Sequence, residues 1–304
     1  MALCDPFPLP PRQRPPRHGL VKESMIRVFP HRTKWTPTDA MAFVGSPLLF
    51  AVQDRKTPVR ISVTFTWHKA AAENLKAEWS RLYDDVQVGG PAYNDAGGEF
   101  TPGLFLKEGC TITSRGCPKK CGWCVVPQNE GQIRELTIQP GWIVQDNNLL
   151  ACSRPHTERV FEMLRKQERR IYFNGGLDKH FLKDWHRPLF DSIPIGELWF
   201  ACDTQHDLPW LERAAKILDG IPLHKRRCYT MIGYDDETLK DAETRCERVL
   251  ALGFMPFCQL FQSETLKEYP KEWKAVHRKW ARPAAYLSKT ELETQDLNLP
   301  GLSK

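Results

Sequence analysis

Six short runs rich in β-branched and apolar residues recur between residues 110 and 260, at 111–113, 142–146, 171–174, 197–203, 227–232 and 254–260. Their spacing is roughly thirty residues, the length of one strand plus a returning helix. Helical periodicity at 157–165 and 237–250 fills two of the gaps. This pattern predicts parallel strands joined by helical crossovers, an α/β chain. Six units are too few to close an eight-stranded barrel. Parallel strands bring functional groups together at their carboxyl ends, so chemistry is expected where each run stops.

The first run leads into Cys110-Thr-Ile-Thr-Ser-Arg-Gly-Cys117-Pro-Lys-Lys-Cys121-Gly-Trp-Cys124-Val-Val-Pro127. Cys117, Cys121 and Cys124 stand in the spacing CxxxCxxC, with Gly116, Pro118 and Gly122 supplying turns that let one short loop aim three thiols at one centre. Soft thiolates suit iron–sulfur or zinc rather than hard cations. A structural zinc site is closed by four ligands, and a plain [4Fe–4S] carrier needs four cysteines. Three local cysteines therefore imply a cluster with one open iron. Cys110 begins the preceding run and is poorly placed to close the site. A different class stays open: a non-catalytic zinc or iron–sulfur module completed by a distant cysteine.

The cysteine loop, with Trp123 just before its third cysteine, resembles that of the radical S-adenosylmethionine (SAM) enzymes, and the order of the six runs over 105–262 agrees with it. The resemblance implies a partial (β/α)6 barrel, a [4Fe–4S] cluster on the three cysteines, and SAM on the open iron. It further implies reductive cleavage of SAM to a 5′-deoxyadenosyl radical that abstracts hydrogen, fed by a flavodoxin- or ferredoxin-type donor. On the same footing, Trp123 would lie against the adenine. Asp146 and Asn147 stand where many members carry a GGE motif, and Asp146 would accept the SAM ammonium unless it is a helix N-cap. Gly175 and Gly176 would admit the ligand to the third strand, although a turn needs no more than that. Asp203 would hold the ribose hydroxyls unless it too is a cap. Gly233 would lie beside the adenine, and Gln259 ends the sixth strand.

Residues 25–100 predict a small α/β, Rossmann-like domain. A run at 59–66, a helix from 69 to 82 with Ala72, Leu75, Trp79 and Leu82 on one face, and a run at 85–91 make a βαβ unit. This piece resembles part of a cobalamin-binding domain but lacks its DxHxxG signature, and His68 reads as a surface residue. No cobalamin is therefore expected. Val59, Ile61, Val63 and Phe65 should pack on Leu75 and Trp79, leaving little room for a corrin ring.

Residues 1–24, with six prolines among basic residues, read as a flexible arm. Of the net charge of +6, most comes from residues 1–34, with seven Lys/Arg against two Asp/Glu, so the basic total says little about the folded body. No apolar run approaches the ~20 residues of a membrane span, and ten cysteines in a chain of this size suit a reducing cytoplasm. In the C-terminal segment 263–304, residues 272–283 form a basic helix with two tryptophans, either a lid or a surface for stacking bases. A nucleic-acid base is the first candidate substrate, with a peptide or small metabolite as the alternative.

Overall fold

The structure, a computed structural model, describes residues 25–47, 54–95, 97–262 and 268–287. The arm at 1–24 lies outside the described residues. Four strands form the first sheet: β1 (Ile26–Phe29), β2 (Ala42–Val44), β3 (Val59–Ser62) and β4 (Val86–Gly89), in the order β2-β1-β3-β4 with every pairing parallel. Helix α1 (Lys69–Trp79) lays Ala72, Leu75 and Trp79 against Ile26, Val28, Val59, Ile61 and Val63. Trp79 is fully buried, packs edge-on to Phe43 and flat against Tyr83, and donates its indole N–H to the carbonyl of Gly45.

Two expectations for this region need correction. The edge strand β2 was not anticipated, because three half-buried residues carry no readable alternation. Phe65 does not join the core. It stands exposed beyond the end of β3, stacked on Trp67, and a cavity of about 1020 Å³ opens beside it. The helix side of the sheet is closed by packing, but its carboxyl end is roomy.

The second sheet contains β5 (Cys110–Thr111), β8 (Ile143–Val144), β9 (Ile171–Phe173), β10 (Ile195–Ala201), β11 (Arg226–Ile232) and β12 (Met255–Leu260). All are parallel and adjacent in chain order. These are the six expected runs. Between β5 and β8, a separate antiparallel pair, β6 (Ser114–Arg115) and β7 (Arg134–Glu135), flanks a loop carrying the short helix α2 (Val126–Asn129). Crossover helices are α3 (Arg154–Arg165), α4 (Arg187–Asp191), α5 (Leu208–Ile217) and α6 (Leu239–Ala251). The helix α5 was not expected. Its proline, Pro209, lies in the first turn, where a missing N–H costs nothing. Pro155 likewise starts α3 earlier than its periodicity indicates. The core centres on Phe161, Phe173 and Phe190, whose ring centroids lie 5.3–5.8 Å apart.

A C-terminal helix, α7 (Lys271–Trp280), packs Val276 and Trp280 against Ile232, Ala242, Cys246 and Cys258 beside the edge strand β12. Trp280 is buried and stacks on Tyr286, and Trp273 is partly buried on the same cluster. The helix therefore covers an edge, as the lid alternative required. Its tryptophans do not form a base-stacking face. Among the described residues, no helix is long and apolar enough to cross a membrane.

These placements give a stability contrast. Trp79→Ala should cost about 3–5 kcal/mol in urea unfolding, whereas Trp67→Ala, 43% exposed, should stay within about 0.5 kcal/mol. Equal losses in the two variants would contradict the assignment of Trp79 to the core.

Candidate functional site

The cysteine loop is an excursion from β5, closed at its base by the β6–β7 pair and by the Leu136 N–H donating to the carbonyl of Thr113. Gly116 starts it with φ of +84°, and a Cβ there would fall 2.2 Å from the Gln132 carbonyl oxygen, so only glycine fits. The Cys117 N–H donates to Gly131 O at 3.0 Å, and Cys124 N–H to Cys121 O at 3.0 Å. Glu130 closes the far side. One of its oxygens accepts from Gly116 N–H at 3.1 Å and from the Asn147 amide at 2.6 Å, and Arg115 lies 3.7 Å from the other.

Cys117, Cys121 and Cys124 are all half-exposed, with no disulfide. Among the described residues, no three His, Cys, Asp or Glu side chains stand at metal-binding distances, these three included. They do share one electrostatic neighbourhood. Burial pushes the Cys121 thiol up and Lys119 pulls it down, while Cys124, Cys117 and Asp203 push it further up. Burial likewise raises the Cys124 thiol, helped by Cys117, Asp203 and Glu130. Three neighbouring soft donors on a loop closed at its base fit a thiophilic cluster. Thiols raised in this way hold their protons until a cation displaces them.

Asp146 ends β8 but does not offer a free carboxylate. It is 1% exposed, and its oxygens accept from Thr113 N–H (2.6 Å), Thr113 Oγ1 (2.6 Å) and Ser114 Oγ (2.9 Å). Burial raises its pKa, and the Thr113 and Ser114 donors oppose that. The expected ammonium acceptor is thus a brace between β8 and the strand leading into the cysteine loop, and it is not an N-cap either. Asn147 is likewise committed to Glu130.

Two of the three glycines, Gly175 and Gly233, also need correction. A Cβ on Gly175 would lie 2.2 Å from the Asp146 carbonyl oxygen, so its bareness serves the close approach of two strand ends rather than a ligand. Gly176 has open space around it, with nothing nearer than the Asn147 carbonyl at 3.8 Å. The space over Gly233 is taken by the ring of Tyr269, whose hydroxyl donates to the Gly233 carbonyl. Gln259 is exposed near the end of β12.

One expected residue, Asp203, lies near enough to Cys121 and Cys124 to raise both thiols. Asp203, at the end of β10, accepts from Met231 N–H at 3.0 Å through one oxygen, while the other has no hydrogen-bond partner among the described residues. Burial raises its pKa. Trp123 lies edge-on to Tyr234, 5.2 Å between centroids, and Tyr234 in turn meets Phe261 at 4.9 Å. The cysteine loop from the first strand therefore touches Tyr234, which follows the fifth, and Tyr234 in turn touches Phe261 after the sixth.

A polar network that sequence reasoning did not identify completes the site. Asn148 donates toward Cys117 Sγ and Asp178 Oδ2, each at 3.4 Å. His180 Nδ1 sits 2.7 Å from Asp178 Oδ1 and 3.0 Å from Lys119 Nζ. Lys179, 5% exposed, pairs with Asp207 at 2.7 Å. Burial lowers the Lys179 pKa, but Asp207 and Asp178 outweigh it and the net shift is upward. The available signal was the polar string Asp178-Lys179-His180, directly after the expected strand-end glycines. Among the described residues, the remaining cysteines 110, 152, 202, 228, 246 and 258 are buried. Cys246 and Cys258 face each other with sulfurs 3.6 Å apart, as apolar fillers do.

No protein-family model matches the chain, and no curated protein matches it.

The brace predicts that Asp146→Ala loosens the cysteine loop. Limited proteolysis between residues 116 and 133 should speed up, and iron bound after anaerobic reconstitution should fall, because three hydrogen bonds at a buried site are lost. Unchanged cleavage and full iron loading would show that the loop does not depend on Asp146.

Proposed function

We propose that the chain is a radical SAM enzyme whose [4Fe–4S] cluster is held by Cys117, Cys121 and Cys124. One observation carries the reading: the three-cysteine loop leaves the carboxyl end of the first strand of a parallel sheet whose six strands follow chain order. A sheet wound in one direction places its crossover helices on one face and buries the other by curling. In a flat sheet β5 and β11 would lie roughly 19 Å apart, four strand spacings. The contact between Trp123 and Tyr234 therefore supports a curled sheet, the partial (β/α)6 barrel, with the smaller parallel sheet of residues 25–100 beside its mouth.

When bound, the cluster would supply the electron that cleaves the SAM sulfonium to methionine and a 5′-deoxyadenosyl radical. The chain's own residues position the reactants. Trp123 provides a flat apolar surface for adenine, and the unbonded oxygen of Asp203 suits a ribose hydroxyl. Asp146 fixes the loop from below. Asp178, linked to Cys117 through Asn148, is a carboxylate near the thiols that would receive an ammonium in place of Asp146. The half-exposed cysteine loop leaves a route for a flavodoxin- or ferredoxin-type donor, and such chemistry belongs in the reducing cytoplasm.

Anaerobically reconstituted protein, given SAM and dithionite, should release 5′-deoxyadenosine. Cys117→Ala, Cys121→Ala and Cys124→Ala should each abolish release, and Cys246→Ala should stay near wild type. Asp203→Ala should keep the brown cluster but bind SAM about ten- to a hundred-fold more weakly, the loss of one charge-assisted hydrogen bond. An active Cys121→Ala protein would sink the reading. A colourless preparation carrying zinc would favour the non-catalytic module instead.

A further inference from the structure

A cavity of about 1020 Å³ opens where the two sheets meet. One wall is the carboxyl end of the first sheet, at Phe29, Ser62 and Gly89. The other is the cysteine loop, at Arg115, Val126 and Glu130. The position is dictated by topology. In the order β2-β1-β3-β4, the chain leaves β1 toward one edge and continues from β3 toward the other. Connections diverging in this way open a crevice at the strand ends between β1 and β3, where α/β sheets take ligands. The volume is at the top of the roughly 300–1,000 Å³ range of small-ligand pockets.

The chemistry of the walls is specific. Trp35, Phe65 and Tyr93 give flat aromatic surfaces. Just outside, Trp67 continues the surface, stacked on Phe65 at 4.7 Å and 11° and 43% exposed. Cations stand over the same rings: Lys34 and Lys107 at 4.5 and 4.9 Å from Trp35, and Lys69 at 5.7 Å from Tyr93. Two donors in the lining, Arg115 Nε and Gln145 Nε2, are buried without a hydrogen-bond partner.

We infer that the cavity receives an unpaired base of a single nucleic-acid strand, whose flanking base stacks on Phe65 and Trp67 and whose phosphates meet Lys34 and Lys107. Flat rings fit the aromatic walls, and the aromatic surface continuing outside the cavity suits a polymer rather than a lone nucleotide. A base seated here lies against the cysteine loop. Its identity as the substrate rests on the radical SAM reading, whereas its binding does not.

The test is fluorescence anisotropy of the full chain with labelled RNA and DNA strands of about twelve nucleotides, titrated between about 50 and 200 mM salt. Binding of either strand supports the inference if Phe65→Ala and Trp67→Ala each weaken it at least about five-fold. The double variant Lys34→Ala/Lys107→Ala should also flatten the log–log salt slope by about 1.4, two phosphates on a single strand. Lys216→Ala, on the exposed face of α5, should leave the slope unchanged. Circular dichroism checks that the exposed-site variants fold. Absence of binding, or binding indifferent to all four substitutions, overturns the inference. So does stoichiometric retention of hydroxocobalamin through desalting that the strand does not displace. Intact 5′-deoxyadenosine release without strand binding would leave the radical reading standing and this one fallen. Strand binding without SAM cleavage would do the reverse.

Discussion

The carboxylate of Asp146 ties the cysteine loop to the second sheet. It receives its three hydrogen bonds from Thr113 and Ser114, the last residues before the loop turns out at Gly116. A carboxylate this buried is costly unless its lone pairs are occupied, so the donors are obligatory for the position. With Thr113 and Ser114 fixed, Gly116 can make its left-handed turn. Glu130 then gathers the loop's return against Gly116 and Asn147. The thiols are held from two sides, by the end of β8 beneath and by Glu130 across the loop. Their geometry follows from these side-chain hydrogen bonds together with the loop's own backbone turns at Gly116, Cys117 and Cys124.

The strands of the second sheet were legible because each is a local run of β-branched and apolar residues. The face of α1 was legible for the same reason, with Ala72, Leu75 and Trp79 at helical spacing. What sequence reasoning mistook were roles set by distant partners. Asp146 looked like a free strand-end carboxylate, but its donors come from more than thirty residues earlier. Gly233 looked like a ligand-facing glycine, yet Tyr269, thirty-six residues later, fills the space above it. The network of Lys119, Asp178 and His180 joins loops sixty residues apart and has no local period to betray it. Phe65 continued the alternation of β3 on paper, but the strand ends at Ser62 and the ring turns outward.

Hydrogen bonds tie the two sheets together along one edge. Arg27, fully buried in β1, donates to the carbonyls of Gly103 and Leu104 in the connection between them and pairs with Asp39. Lys107 N–H donates to the Trp35 carbonyl, and Thr137 N–H to Glu99. These ties hold the carboxyl end of the smaller sheet against the loop that carries the thiols. The smaller sheet is thereby more than a cover, since it supplies half the wall of the cavity beside the proposed cluster.

In the proposed site, three thiols leave one iron open to SAM. The most direct measurement is the electron paramagnetic resonance spectrum of the reduced, anaerobically reconstituted protein, recorded with and without SAM beside an iron determination. The account predicts about four irons per chain and a [4Fe–4S]⁺ signal whose g values shift when SAM is added, because the open iron gains ligands. A cluster signal that SAM leaves unchanged would mean a fourth protein ligand closes the site, and the proposed chemistry could not begin there.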